Sequence, residues 1–256
     1  MNTTNVSFAD YYNEHSDYKE LRQKGSVFEK QYLDEVDFWK NKYLCELTAQ
    51  LDIQSICEIG CAVGILLNRY KAVAPMHNRW GVDVSSQNIE YARKQFPDMN
   101  FFAGTFDAFL AQENKPDSVD LVILSDILEH VEDDRGLLED AGKYGDYVVL
   151  NLPLEKCGEY EGRVYGLEDK HGHLRWYDVN DARQLVSDAG MVEVASIVRH
   201  YVQEPIFRNY LANKLFADKT GQDKVDGLAK YITEINEIDL NPSFYKSNYF
   251  GLLKRK

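Results

Sequence analysis

Three short stretches of this chain combine residue types that chemistry needs at spacings that chemistry can use. The first is Ile56-Cys57-Glu58-Ile59-Gly60-Cys61-Ala62-Val63-Gly64, an apolar run ending in two glycines with three residues between them. Glycine is required where backbone bends tightly or approaches a ligand closely, and the amides opening a following helix favour a carboxylate or phosphate. The second is Trp80-Gly81-Val82-Asp83-Val84-Ser85, in which Asp83 closes another apolar run and can accept both hydroxyls of a ribose. Its structural alternative is an Asp capping a helix that starts near Ser85. The third is Ser125-Asp126-Ile127-Leu128-Glu129-His130, followed at a distance by His171-Gly172-His173. If that run turns into helix, Asp126 and His130 are i,i+4 neighbours with Glu129 beside them, an imidazole of useful pKa with carboxylates to orient it. The alternatives are a capping box of Asp126 and Glu129, a packed His130, or a divalent metal on Asp126, Glu129, His130 and His173. Hard cations prefer more carboxylate oxygen than that set guarantees, so the reading without a metal is preferred.

The elements that must position these residues show in the hydrophobic pattern. From Ser55 onward, short apolar runs (SICEIG, RWGVDVS, NFFAGTF, DLVILSD, DYVVLNLP) alternate with amphipathic stretches such as ILLNRYKAVA, SQNIEYARKQF and GLLEDAGKY. Strand-helix alternation of this kind predicts an α/β, Rossmann-like, doubly wound sheet that is mostly parallel, because parallel strands need crossover connections. After a long loop over 154–176, a helix through VNDARQLVSDAG ends at Gly190. The runs MVEVASIVRHYV and SNYFGLLKRK then predict a C-terminal antiparallel hairpin. Phe28, Tyr32, Leu33, Val36, Trp39 and Tyr43 fall at helical spacing ahead of any strand. The expected organisation is therefore an N-terminal helical cap over 1–50, a core over 51–203 plus 245–256, and a helical insertion over 204–244. That insertion, ending at Phe244, carries Phe207, Tyr210, Leu211, Leu215, Phe216, Tyr231 and Ile232 and would serve as a lid or a homodimer surface.

Composition narrows the function classes. The chain has 256 residues, 44% of them hydrophobic, enough for one large domain, and no run of 18 apolar residues that would cross a bilayer. A net charge of −13 repels phosphate backbones, so nucleic acid is not expected as a partner. Cys45, Cys57, Cys61 and Cys157 form no zinc-type spacing, and the N-terminus lacks a secretory pattern. A cytoplasmic protein acting on a small molecule, with neither nucleic acid nor membrane as partner, fits these facts.

Glycine spacing then separates two uses of the same architecture. Gly60-x-x-x-Gly64, with Ala62 between, is not the Gly-x-Gly-x-x-Gly that presses backbone against a pyrophosphate, and Glu58 would repel one. A ligand bearing an ammonium and a sulfonium suits that carboxylate. With EIGCAVG, GVDVS, FFAGTFDAF, DLVILSDILEHVED and GHLRWY in order, residues 50–200 resemble the class I S-adenosylmethionine-dependent methyltransferases, especially the bacterial small-molecule type. The resemblance implies S-adenosylmethionine as cofactor. It implies Glu58, Gly60, Cys61 and Gly64 around the methionine part, Asp83 on the ribose and Val84 against adenine. Gly104 and Thr105 stand where the family often has Gly-Asp facing the adenine amino group, so Thr105 is a departure, with Phe106 beside it and Asp107 as an acidic alternative, and Ser125 joins the cofactor set from the next strand exit. The activity expected is methylation of a small metabolite or glycan precursor, on oxygen first, with His130 or His173 as general base. The alternatives are a cofactor-binding module without turnover and a metal-assisted O-methyltransferase. Arg175 is a candidate anchor for an acidic acceptor, and Tyr11, Tyr12 and Tyr18 are candidates to close over the sulfonium.

Overall fold

Strands buried on both faces read as unbroken apolar runs. In the computed structural model, β1 (Ile56–Ile59), β4 (Val119–Ser125) and β5 (Gly145–Leu154) are of that kind, with β2 (Arg79–Asp83) and β3 (Asn100–Ala103) toward one edge. The structure describes residues 8–14, 16–70, 75–166, 169, 171–207, 218–237 and 246–256. Strand order is β3-β2-β1-β4-β5-β7-β6. The first five strands are parallel, and β7 (Ser247–Arg255) runs antiparallel to both β5 and β6 (Met191–His200). The expected mostly parallel, doubly wound sheet with an antiparallel C-terminal hairpin is thus what forms. Strand order reverses between β1 and β4, so the connections leaving these two strands diverge and open a crevice at their carboxyl ends.

Alternation along β4 assigns each face its own core. Val122 and Leu124 pack with Leu138, Ala141 and Leu185 of α8 (Asp134–Tyr144) and α9 (Val179–Asp188). Leu121 and Ile123 pack on the other face with α5 (Ile65–Arg69), α6 (Ser86–Gln95) and the N-terminal helices. Those helices are α1 (Phe8–Glu14), α2 (Ser16–Leu21), α3 (Val27–Glu35) and α4 (Asn41–Thr48). A π turn at Val36–Lys40 joins α3 to α4 without a break. It faces Trp39 into the core against Tyr43, Tyr201, Phe207 and Phe250, and it buries Lys40.

The helix expected through ILLNRYKAVA stops at Arg69, with Tyr70 already extended. The reason is tertiary. Arg79 Nη1 donates to the carbonyls of Leu67 (2.6 Å) and Tyr70 (3.1 Å), and Asn41 Nδ2 to that of Arg69 (3.1 Å), so the last turn's carbonyls find partners off the helix. Within the expected insertion, α10 (Gly221–Glu237) is helical as anticipated. Tyr210, Leu211, Leu215, Phe216 and Phe244 lie outside the described residues. Among the described residues no helix is long and apolar enough to cross a membrane. A last short helix, α7 (Phe106–Leu110), is capped by Thr105 and lies beyond β3 at the crevice.

Because Trp39 is fully enclosed, Trp39→Ala should lower unfolding free energy by about 3–5 kcal/mol in chemical denaturation. Trp176→Ala, at a tryptophan 45% exposed, should change it by less than about 1 kcal/mol.

Candidate active site

The turn after β1 needs its glycines for two separate reasons. Gly60 and Gly64 both sit at φ 78°, and Ala62 between them at φ 46°. A Cβ on Gly60 would also stand 2.9 Å from Ile127 Cδ1, and one on Gly64 2.8 Å from Phe101 Cε1. The turn is fastened to β2, since the Gly60 and Cys61 amides donate to Val82 O at 2.8 and 3.1 Å. Asp83 completes the fastening by accepting from Ala62 N (2.9 Å) and Ser85 N (2.8 Å). The cap on α6 is Ser85 itself, through its bond from Asn88 N, so Asp83 is left to face the crevice. Burial raises the Asp83 carboxyl to about 6, against the pull of those two amides.

The crevice holds a cavity lined from the carboxyl ends of β1, β2, β3 and β4. Of the predicted residues, Gly60, Asp83, Val84, Thr105, Phe106 and His130 line it, and Tyr12 and Tyr18 close one side. Glu58, Cys61, Gly64, Ser125 and His173 are not in its lining. Gly64 shapes the turn, and the Cys61 thiol is buried with Gly81 pressed against it. Glu58 is buried below the turn, its Oε2 without a hydrogen bond among the described residues. Burial pushes its carboxyl up to about 8, opposed by the nearby Lys40 charge. The Thr105 hydroxyl accepts from Ala108 N (3.2 Å) as the cap of α7, while Asp107 in the first turn lines the cavity. Sequence reading did not anticipate Asp133 and Asp140, the cap and second turn of α8. With Asp83, Asp107 and Asp126 they make the lining acidic, and no Lys or Arg is part of it.

The run after β4 does not turn into helix, so the i,i+4 condition for pairing Asp126 with His130 is not met. Asp126 is held in the left-handed region at φ 52°, and turns follow until Asp133 caps α8. Asp126 Oδ2 is bound by Lys40 Nζ (3.0 Å), Asn151 Nδ2 (2.8 Å) and Ser125 Oγ (3.1 Å). A buried ammonium must be paired, and Lys40 therefore claims the carboxylate that i,i+4 spacing would have given to His130. His130 is oriented instead by the Gly172 carbonyl, to which Nδ1 donates at 3.1 Å. Its ring is edge-on to His173, with centroids 4.7 Å apart. Burial, with His173 adding to it, lowers the His130 pKa to about 4. His173 lies behind His130, and its Nδ1 donates to Glu155 Oε2 at 2.7 Å. Glu155 is itself buried, yet hydrogen bonding from His173 and the charges of Lys246 and Arg163 hold its carboxyl well below the usual range. Arg175 is not available to an acceptor, because it pairs with Asp134 (2.9 Å) and donates to Glu132 O (2.7 Å).

This geometry meets known proteins at one family. Residues 14–195 match the methyltransferase domain, and the chain belongs to that family. Its fold is that of the class I S-adenosylmethionine-dependent methyltransferases. The magnesium protoporphyrin IX methyltransferase of Synechocystis, solved with S-adenosylmethionine bound, is 15% identical with a TM-score of 0.55, covering 96% of this chain and 94% of that one. The phosphoethanolamine N-methyltransferase 2 of Haemonchus contortus, also solved with S-adenosylmethionine, is 14% identical with a TM-score of 0.54, covering 94% and 60%. The SpnF cyclase, 14% identical at a TM-score of 0.54 over 84% and 80%, shares the same fold. No curated protein matches the chain.

The residues fit the family's cofactor. A glycine turn that a Cβ would obstruct, a ribose-type carboxylate at the cavity and a lining with five Asp and no Lys or Arg suit a cationic adenosyl compound and repel a pyrophosphate. The buried Glu58 has a consequence for the free protein. Its folded pKa, about 8, exceeds the ordinary 4.5, so its stabilising contribution is complete below pH 4.5 and is lost as pH rises toward 8. Glu58→Gln should flatten that stretch of the stability profile, read by urea unfolding at a series of pH values.

Proposed function

We propose that this chain transfers the methyl group of S-adenosylmethionine to a hydroxyl of a small metabolite or glycan precursor, with His130 receiving the hydroxyl proton. The observation that carries the reading is the position of His130. It is the one imidazole in the cavity lining among the described residues, and its Nδ1 is committed to Gly172 O. A neutral ring that donates through Nδ1 has its lone pair on Nε2, ready to accept. Its low pKa keeps it neutral at physiological pH.

When bound, the cofactor supplies an electrophilic methyl on a sulfonium. The turn at Gly60 and the carboxylate of Asp83 would fix the methionine and ribose parts, and Asp107 is better placed than the Thr105 side chain to meet adenine. Val84 and Phe106 would line the base. Alignment of acceptor oxygen, methyl and sulfur supplies much of the rate in such a displacement. The oxygen–carbon bond forms as the carbon–sulfur bond breaks, and the acceptor proton passes to His130 Nε2. The absence of Lys and Arg from the lining favours a neutral or cationic acceptor over an anionic one. Within this reading residues 1–50 cap the cofactor, 204–244 form an insertion at the tip of the β6–β7 hairpin, and the protein works in the cytoplasm.

Calorimetric titration with S-adenosylmethionine should show binding that Asp83→Ala weakens by about 100-fold, the worth of two charge-assisted hydrogen bonds. No binding by the wild type at millimolar cofactor would remove the reading. His130→Ala should keep cofactor affinity and lower kcat by about 10²–10⁴-fold on an acceptor found by screening hydroxylated metabolites. The acid limb of its wild-type pH profile should fall below the ordinary histidine value of 6.5. Unchanged turnover in His130→Ala would remove His130 as the base, whereas cofactor binding with no turnover on any acceptor screened would favour the second reading, a cofactor-binding module on a fold that the SpnF cyclase shows is not confined to methyl transfer.

A further inference from the structure

A proton acceptor explains one histidine in the cavity wall; it does not explain what lies behind it. Glu129 is 1% exposed, and neither of its carboxylate oxygens has a hydrogen-bond partner among the described residues. Burying a carboxyl with nothing bound to it is costly, and such groups mark a missing partner. The carboxyl points at two imidazoles: Oε1 lies 3.7 Å from His130 Nε2, and one donor atom each from Glu129, His130 and His173 fall within 4.8 Å of one another.

Both rings are held in the tautomer that a cation needs. Nδ1 of His130 donates to Gly172 O and Nδ1 of His173 to Glu155, so each Nε2 carries a lone pair. A carboxylate or carbonyl behind each ligating imidazole is the outer support that orients such ligands. Here it is rigid. Glu155 is fixed by Arg163 (2.8 Å), which also grips Asp169 through two nitrogens (2.8 and 2.9 Å). Asp169 in turn accepts from the His173 amide (3.0 Å), and Leu174 N donates to Glu129 O (2.8 Å), tying the histidine loop to the strand exit.

We propose that Glu129, His130 and His173 bind one divalent transition-metal ion of the zinc type in the inner wall of the cavity, through Nε2 of each imidazole and one oxygen of Glu129. Two imidazoles to one carboxylate is a ligand set for zinc, cobalt or ferrous iron and not for magnesium or calcium, which take oxygen. Asp126 is excluded from the set because Lys40 and Asn151 hold it. Three protein ligands leave at least one position open, and His130 brings it to the cavity. An acceptor oxygen there loses its proton to water more readily because the cation stabilises the anion. His130 is the base of the metal-free protein; in protein that holds the ion its Nε2 is occupied and the acceptor proton passes to water. Metal uptake needs no acceptor and no methyl transfer, so this inference stands or falls apart from the reading above.

The test uses untagged full-length protein, stripped with chelator and reloaded. Stripped protein dialysed against zinc should retain about one equivalent by mass spectrometry, and cobalt(II) should give the visible absorption of a low-coordinate site. Glu129→Gln and His173→Ala should each weaken uptake by at least ~100-fold, while His171→Ala, on the same loop, retains it. S-adenosylmethionine titration of each variant separates loss of a ligand from loss of fold. Wild-type protein that takes up neither zinc nor cobalt above background, or uptake that is the same in all three variants, would overturn the proposal. Chelation separates the two roles of His130: turnover lost with the metal and restored by it supports the ligand, and turnover indifferent to chelator in protein shown to lose its metal overturns a catalytic part for the ion.

Discussion

One buried charge organises the cavity. Lys40 sits on the π turn between α3 and α4, with its side chain 7% exposed, and reaches across to Asp126 at the exit of β4. A cation so placed demands an anion, and removing one partner of such a pair costs about 3–5 kcal/mol. The demand is met by Asp126 at 3.0 Å and Glu35 at 3.4 Å, with the Tyr32 ring 4.9 Å below. Meeting it fixes Asp126 in a left-handed conformation that a non-glycine residue adopts only under constraint. That conformation prevents a helix after β4 and sends the chain through the turns that deliver Glu129 inward and His130 to the cavity. The N-terminal helices are thus part of the site's construction, since their ammonium decides the course of a loop on the far side of the first strand.

The same charge reaches the cofactor side. Lys40 opposes the burial that raises Glu58, so the carboxylates on either side of the switch point between β1 and β4 share one counterion. Around them the lining carries five Asp and neither Lys nor Arg. In a crevice closed by Tyr12 and Tyr18, such a lining produces a field that favours a cation and excludes phosphate groups. The glycine turn and the electrostatics thus point to the same ligand by independent routes, one steric and one Coulombic.

Fold and chemistry are separable here. Solved structures of similar shape include a porphyrin methyltransferase, an amine methyltransferase and a cyclase, each near 15% identity. What they share with this chain is the sheet. The chemistry of this chain's cavity wall depends on the histidine loop at 171–173, pinned by Asp169 and Glu155, and on the carboxyl it encloses. Function on this scaffold resides in those side chains.

By itself the sequence determined the strand-helix alternation, the closing hairpin, the glycine turn and Asp83, because each rests on local periodicity or on spacing within one strand-turn-helix unit. It also singled out His130 and His173, but not their partners. Asp126 reads as a partner of His130 in the chain and is a partner of Lys40 in space; Arg175 reads as an anchor and is a loop tie; Asp133 and Asp140 enter the lining only because α8 begins where the turns end. Such pairings join residues far apart in sequence, and a buried charge selects among distant partners by what packing brings within reach. Only the tertiary structure could decide that Glu129 would be enclosed with two imidazoles and left without a hydrogen bond.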